Sequence, residues 1–289
     1  MLVKHFFDKI TSTLTYIVYD EVSRDAVLID PVLDYSSSDS IISFENIKLY
    51  QNFILEKKLS LHFILETHAH ADHLSGSQKL KEIFPKSKLA IGQNITQVQK
   101  TFRQVYNLEK LKTDGSQFDL LLEDNQTLVA GSIKIKILGT PGHTPACVCY
   151  YINQEMIFTG DALFIEDYGT GRCDFPQGSA QQLYQSVTKK IYTLPDETKV
   201  YPGHDYQPQG RALRFETTIG IEKEKNIQLS SKTSEQEFIQ FRNSRDATLN
   251  YPKLLLPSLQ VNIQAGHLPP AENNQTSYLK IPLNIKEYK

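Results

Sequence analysis

A histidine-rich loop that directly follows an apolar run constrains this chain more than any other feature. The loop reads Thr67-His68-Ala69-His70-Ala71-Asp72-His73, and the run from Leu61 to Leu65 before it is typical of a short buried strand. Three imidazoles and one carboxylate are separated only by small alanines. Imidazole is the commonest metal ligand in proteins, and a carboxylate suits both zinc and iron. The sequence therefore predicts a metal site here rather than a polar surface loop that is rich in histidine.

Three further loops, each placed directly after a predicted strand, carry residues of the same kind. They are Gly142-His143, Gly160-Asp161 and Gly203-His204. Each is a weak signal alone, because a histidine or aspartate in a turn usually has no role beyond the turn or a helix cap. Together with the first loop they predict one site where the ends of several strands meet. For the remaining His5, His62 and His267, which lie near the termini or inside an apolar strand, we expect structural roles.

Strand and helix patterns alternate through two successive parts of the chain. Predicted strands cover 13–18, 26–29, 61–65, 88–91, 127–129, 133–138, 146–152, 156–159 and 199–201, and predicted helices cover 41–58, 75–84, 96–106 and 180–191. This order predicts an α/β fold with two sheets packed face to face and helices outside. After residue 205 the pattern changes. It predicts helices over 211–228 and 234–243, then an apolar stretch over 254–270 that wraps the core as an extended tail.

The composition limits which binding partners and which cellular compartment can be expected. The net charge of −2 favours neither nucleic acid nor a membrane surface, and no stretch approaches the roughly 18 apolar residues of a spanning helix. The short apolar N-terminus is interrupted by Asp8, which does not fit a secretory signal. Three cysteines are too few for a disulfide framework, so a reducing, cytoplasmic location is expected. Cys147 and Cys149, two positions apart in a strand-like run, are expected to pack in the core.

The set His68-x-His70-x-Asp72-His73, Gly142-His143, Gly160-Asp161 and Gly203-His204 resembles the metallo-β-lactamase superfamily in its expected order. The resemblance implies a four-layer αββα sandwich over residues 1–205, with metal at one edge, followed by an appendage of helices and extended tail over 206–289. In that family one metal pocket is faced by His68, His70 and His143, and a second by Asp72, His73 and His204, with Asp161 between them. The fold hosts hydrolases, nucleases and oxygenases, so these motifs specify the fold more closely than the reaction.

Flanking segments are similar to the persulfide dioxygenases, in particular their bacterial branch. These segments are Gly160 to Phe164, Asp167 to Phe175, Tyr201 to Tyr206, and the tail from Arg245 to Asn262. The resemblance implies one Fe(II) per chain, held by His68, His143 and Asp161, with three open positions for a persulfide sulfur and O2. The other four metal-type residues, His70, Asp72, His73 and His204, would then be an outer shell that orients the ligands. The implied reaction converts a glutathione-type persulfide, O2 and water to sulfite and free thiol in sulfide detoxification, and a homodimer is expected.

Substrate contacts are expected from two residues on the same basis. The Arg172 guanidinium suits a bidentate clamp on a glutathione carboxylate, and the alternative is a structural salt bridge with an acid such as Asp174. Tyr206 matches a family position near the thiol, and the alternative is core or rim packing. The family often carries Asn-Pro-Arg after the last histidine. This chain has Lys225-Asn226-Ile227-Gln228 instead. Either Arg211 or Arg214 replaces that arginine, or the thiol carrier differs from glutathione.

Two rival interpretations remain open. A binuclear zinc thioester hydrolase of the glyoxalase II type, a hydroxyacylglutathione hydrolase, shares every metal motif, although the 171–175 loop and the tail argue against it. A non-catalytic metal sensor or scaffold is disfavoured by the complete ligand set. The metal content distinguishes the first rival, because the dioxygenase predicts about one iron and the hydrolase about two zinc ions per chain.

Overall fold

The computed structural model describes residues 1–283, and its strands and helices alternate along the chain. In chain order the strands are β1 (Leu2–Asp8), β2 (Thr13–Tyr19), β3 (Asp25–Ile29), β4 (Val32–Ser36), β5 (Ile41–Ser43), β6 (Ser60–Leu65), β7 (Leu74–Ser75), β8 (Lys88–Gly92), β9 (Leu120–Leu122), β10 (Thr127–Ala130), β11 (Ile133–Gly139), β12 (Val148–Ile152), β13 (Met156–Gly160), β14 (Lys199–Pro202) and β15 (Thr217–Thr218). The helices are α1 (Glu45–Glu56), α2 (Ser77–Ile83), α3 (Ile95–Val105), α4 (Ala180–Lys189), α5 (Ile219–Lys225), α6 (Glu235–Asp246) and α7 (Leu255–Asn262).

Two mixed six-stranded sheets form the centre of the molecule. The first has the order β1-β2-β3-β6-β8-β9, and the second has the order β10-β11-β12-β13-β14-β15. In the first sheet β3, β6, β8 and β9 are parallel, so the chain must cross over between them, and α1, α2 and α3 lie in these crossovers. A small third sheet, β5-β4-β7, lies beside the histidine loop.

Side-chain alternation in β2 shows how the layers pack. Leu14, Tyr16 and Val18 point into the cluster between the two sheets. Ile17 and Tyr19 point the other way, into the cluster shared with the helices. Because both faces of the strand are covered, all its residues are buried.

A third apolar cluster joins the outer face of the second sheet to α4 and α6. The resulting layers are helices, sheet, sheet and helices. This arrangement confirms the predicted αββα sandwich.

The region after residue 205 differs from its prediction in two places, and both predictions were wrong. Only α5 forms within the range 211–228 where a longer helix was expected. The residues before it are not helical because Arg211 and Arg214 form ion pairs with acids. The stretch expected to be extended over 254–270 contains α7. Its Pro257 lies in the first helical turn, where a missing N–H costs no intrahelical bond. Whether residues 1–205 and 206–289 are separate units stays a prediction.

Near the N-terminus the structure adds β1, which sequence patterns did not predict, and shortens the first helix. The predicted helix over 41–58 begins only at Glu45, because Ile41–Ser43 pairs with β4. Between residues 1 and 283 no helix has the length and apolarity needed to cross a bilayer.

Candidate metal centre

The strand-end loops singled out in the sequence converge at one edge of the sandwich, as predicted. They follow β6, β11, β13 and β14, which come from both sheets. At this edge the two sheets are joined directly. The Leu14 N–H donates to the Gly203 carbonyl at 2.8 Å, and Thr13 bridges to His204. The metal-type residues therefore lie at a junction that both sheets hold in place.

Two of the glycines that precede these residues are required by close backbone approaches. Gly142 has φ +147°, and a Cβ there would lie 2.4 Å from the Leu183 Cα. Gly160 has φ +49°, and a Cβ there would lie 2.5 Å from the Thr67 Oγ1. Any larger residue would push the loop away from its neighbour. The glycines thus allow His143 and Asp161 to enter the site.

His68, His143 and Asp161 form one buried group whose ligand atoms all lie within 4.8 Å of one another. His143 Nε2 lies 3.4 Å from Asp161 Oδ2. Burial lowers the pKa of His68 well below its usual value, which keeps the ring neutral, the form that binds a metal. Two histidines and one carboxylate are thus gathered as the resemblance implied.

Buried polar atoms without partners show that the site suits a cation. His68 Nε2, His73 Nε2, His204 Nε2 and Asp161 Oδ1 are buried and form no hydrogen bond within the described part of the chain. Leaving such atoms unpaired costs about 1–3 kcal/mol each, and native structures rarely tolerate several together. Nitrogen and carboxylate donors of this kind match zinc or iron. The residues present therefore fit a bound metal ion.

The residues of the second expected pocket also come together. His204 Nε2 lies 3.3 Å from Asp161 Oδ1 and 3.5 Å from Asp72 Oδ2. His73 Nδ1 lies 3.1 Å from Asp72 Oδ2. Burial alone would raise the pKa of Asp72, but His204 and His73 hold it well below the usual range. Asp161 thus presents one oxygen to each group.

Two acids that no sequence pattern pointed to, Asp30 and Glu66, lie beside the His70 ring. Its Nε2 lies 3.1 Å from Asp30 Oδ1 and 3.3 Å from Glu66 Oε2. Burial alone would lower the pKa of His70, but these carboxylates raise it well above the usual value. Asp30 also accepts the Thr67 N–H at 2.7 Å. The only signal in the sequence is that each of these acids directly follows a strand.

Asn262 supports the histidine loop from α7 and was not predicted at all. Its Nδ2 donates to the carbonyl oxygens of His70 and His73, each at 2.8 Å. Its Oδ1 accepts the Ser75 N–H at 2.7 Å. The contact spans 189 residues to His73, so no local pattern could have revealed it. The C-terminal segment thus holds part of the metal loop.

Arg172 lies beside the site, but its guanidinium is bound to other groups of the protein. Nε and Nη2 each donate to a carboxylate oxygen of Asp174 at 2.5 Å, and Nη1 donates to the Asn250 carbonyl at 2.7 Å. This ion pair is the alternative considered for Arg172. Substrate binding by Arg172 stays a prediction.

Tyr206 lies on the wall of the cavity above the metal-type residues. Its ring stacks on His204 with centroids 5.3 Å apart and on Tyr168 with centroids 4.6 Å apart. The cavity has a volume of about 760 Å³ and also contacts Asp72 and Asp161. A second, mostly apolar cavity of about 1200 Å³ reaches His143 from the side of α3 and α7.

Of the three histidines expected to be structural, His5 and His62 form structural contacts, whereas His267 is exposed. His62 Nε2 is 2.6 Å from Asp25, and the His5 ring stacks on Phe215. Cys147, Cys149 and Cys173 are buried free thiols, which agrees with the expected core packing of the first two.

Comparisons with known proteins agree with this fold and site. The sequence profile of the metallo-beta-lactamase superfamily matches residues 10–204. A Dictyostelium discoideum protein named Glyoxylase B2 is 48% identical over 275 residues, which cover 95% of this chain and 94% of that protein. The human protein named Persulfide dioxygenase ETHE1, mitochondrial, is 34% identical over 254 residues, which cover 88% of this chain and 83% of that protein. The crystal structure of ETHE1 from Myxococcus xanthus superposes with a TM-score of 0.74 at 33% identity, covering 92% of this chain and 100% of that one. The chain therefore belongs to the metallo-beta-lactamase superfamily, and its relatives there include proteins named persulfide dioxygenase ETHE1.

Proposed function

We propose that this protein is an iron(II)-dependent persulfide dioxygenase. It would convert a glutathione-type persulfide, O2 and water to sulfite and free thiol, as part of sulfide detoxification. The observation that carries the proposal is the buried group of His68, His143 and Asp161. Two histidines and one carboxylate with open positions are typical of non-haem iron oxygenases. The name of the human relative, persulfide dioxygenase ETHE1, supports the same reaction, and the Myxococcus xanthus structure carries the same name ETHE1.

In this proposal the metal would supply positions where the persulfide sulfur and O2 meet, and the chain supplies orientation. The Arg172 carbonyl accepts from His143 Nδ1, which leaves Nε2 free to face Asp161. His70, whose Nε2 lies beside Asp30 and Glu66, would belong to an outer shell that orients the ligands. Asp72, His73 and His204 would complete this shell.

The carrier part of the substrate would lie in the cavity above this centre. Tyr206 offers it a flat aromatic surface. Arg172 lines the same cavity, with its guanidinium bound to Asp174.

A binuclear zinc thioester hydrolase is the second candidate, and one observation favours it. Asp161 presents Oδ2 toward His143 and Oδ1 toward His204, so its carboxylate would be available to both groups of candidate ligands if two zinc ions were bound. The relative named Glyoxylase B2 also supports it. The two candidates predict different metals and different substrates, so they are separable by experiment.

Metal content and substrate turnover test the proposal together. The purified chain would be stripped of metal, reloaded anaerobically with Fe(II) or aerobically with Zn(II), and assayed with glutathione persulfide and with S-lactoylglutathione. We expect about one iron per chain and turnover of the persulfide only in the iron form. About two zinc ions per chain with thioester hydrolysis would support the second candidate instead. His267→Ala, at an exposed histidine outside the site, serves as the control.

The homodimer and the cytoplasmic location stay predictions. Light scattering on the protein as it elutes from a size-exclusion column tests the dimer, and the expected mass is twice the 33.0 kDa of the chain.

A further inference from the structure

The cavity above the metal centre is lined by four cationic side chains, and acids neutralise only two of them. The four are Arg172, Arg242, Arg245 and Lys253. Arg172 pairs with Asp174, and the buried Arg242 lies 2.7 Å from Asp246. Arg245 and Lys253 are exposed, and neither forms an ion pair with any acid in residues 1–283. Two positive charges are therefore available to a ligand in this cavity.

The acids on the cavity wall do not oppose these two cations. Asp72 and Asp161 belong to the metal centre, where they face His73, His143 and His204. Asp34 is occupied by Asn46, whose N–H and Nδ2 donate to it at 2.9 Å and 2.8 Å. The rim of the cavity consequently favours an anionic ligand.

An aromatic wall connects the metal centre to Arg245. The Tyr206 ring stacks on His204 with an interplanar angle of 18°, and the Tyr168 ring stacks on Tyr206 at 29°. Tyr168 and Arg245 both line this cavity. A ligand whose sulfur end lies at the metal centre can follow this wall and reach Arg245 with its other end.

We propose that Arg245 and Lys253 bind the carboxylates of an anionic carrier thiol whose persulfide end lies at the metal centre. The inference rests on the proposed function and names the groups that select its substrate class. Both residues would form charge-assisted hydrogen bonds with carboxylates. They would take the place of the arginine that this chain lacks between Lys225 and Gln228. Arg211 and Arg214 are less suited to that role, because they pair with Asp205, Asp167 and Glu166.

Binding of an unreactive substrate mimic tests the inference separately from turnover. S-methylglutathione would be titrated by calorimetry into the wild-type protein and into the variants Arg245→Gln and Lys253→Gln. The capped sulfur cannot be oxidised as a persulfide, so the readout does not depend on catalysis. The diethyl ester of the same compound removes both negative charges from the ligand. Lys232→Gln, an exposed cation that lines neither cavity, is the matched control.

We expect each variant to raise the Kd of S-methylglutathione by about tenfold, since a hydrogen bond to a charged group is lost. The diester should bind the wild-type protein and both variants equally weakly, and Lys232→Gln should match the wild type. Changes below twofold in both variants, or no binding of S-methylglutathione to the wild-type protein, would overturn the inference. If the variants lose binding while iron-loaded wild-type protein consumes no O2 with the persulfide, the anion site stands and the proposed function fails.

Discussion

His143 Nδ1 lies 2.6 Å from the carbonyl oxygen of Arg172. The carbonyl can only accept, so Nδ1 carries the proton and Nε2 keeps its lone pair for the metal centre. The same residue, Arg172, ties its side chain to Asp174 and to the Asn250 carbonyl. One residue therefore links the orientation of a candidate metal ligand to the segment after α6. Through the Arg172 carbonyl, the Gly171 to Phe175 loop thus contacts the candidate site without supplying a candidate ligand.

Substitution of the three central ligands separates a mononuclear from a binuclear site. His68→Ala, His143→Ala or Asp161→Ala should abolish both iron retention and activity, because each removes a ligand from a three-residue set. Elemental analysis after anaerobic loading measures the retained iron, with circular dichroism as the folding control.

His73→Ala and His204→Ala are the matched variants in the second group. They should retain close to one iron per chain, since these rings would only orient the ligands. Loss of all metal from folded His73→Ala or His204→Ala protein would contradict the assignment of a mononuclear site.

Asn262→Ala should weaken both the fold and the metal centre. Its amide satisfies three buried backbone groups around the histidine loop, and their loss should lower the free energy of unfolding by about 3 kcal/mol. Iron affinity should fall by about tenfold, as expected when the support of a ligand loop is removed. Denaturant unfolding and competition with a chelator measure the two effects. Gln264→Ala, just after the same helix, should leave both unchanged, and equal effects of the two variants would contradict the role of Asn262.

Arg172→Lys tests whether the guanidinium of Arg172 mainly stabilises the loop from Gly171 to Phe175. Lysine cannot reproduce the bidentate contact with Asp174, so the free energy of unfolding should fall by about 1–2 kcal/mol. In that case the KM for glutathione persulfide should change by less than about twofold, because Asp174 already accepts from two of the guanidinium nitrogens of Arg172. A large rise in KM with unchanged stability would instead support the predicted substrate clamp. Arg103→Lys, on the exposed side of α3, is the control.

Glu222 should make stability depend on pH. Burial raises the pKa of this carboxyl to about 8 from the usual 4.5, and Oε1 has no hydrogen-bond partner in residues 1–283. Folding thus favours the protonated form, so wild-type stability should decline as pH rises from about 4.5 to about 8. Glu222→Gln mimics the neutral form and should gain about 3 kcal/mol relative to wild type between pH 5 and pH 8. Thermal unfolding across this range measures the gain. Glu224→Gln, exposed on the same helix, should show none, and a pH-independent difference for Glu222→Gln would contradict the assignment.

The sequence predicted the layers and the metal-type residues because both depend on local patterns. Apolar alternation indicates strands such as Ile133–Gly139, and short motifs after strands indicate the candidate ligands. Asp30 and Asn262 were not predicted, because their roles arise only when distant segments of the chain meet. The helix expected over 211–228 failed for a similar reason, since ion pairs of Arg211 and Arg214 outweighed helical propensity.

Oxygen uptake is the measurement that tests the central claim most directly. An electrode would follow dissolved O2 after glutathione persulfide is added to protein shown to hold ferrous iron, while sulfite is quantified in the same sample. The account predicts one O2 consumed and one sulfite formed per persulfide, with the Asp161→Ala variant inactive. Ferrous protein that consumes no O2 with this substrate would contradict the account.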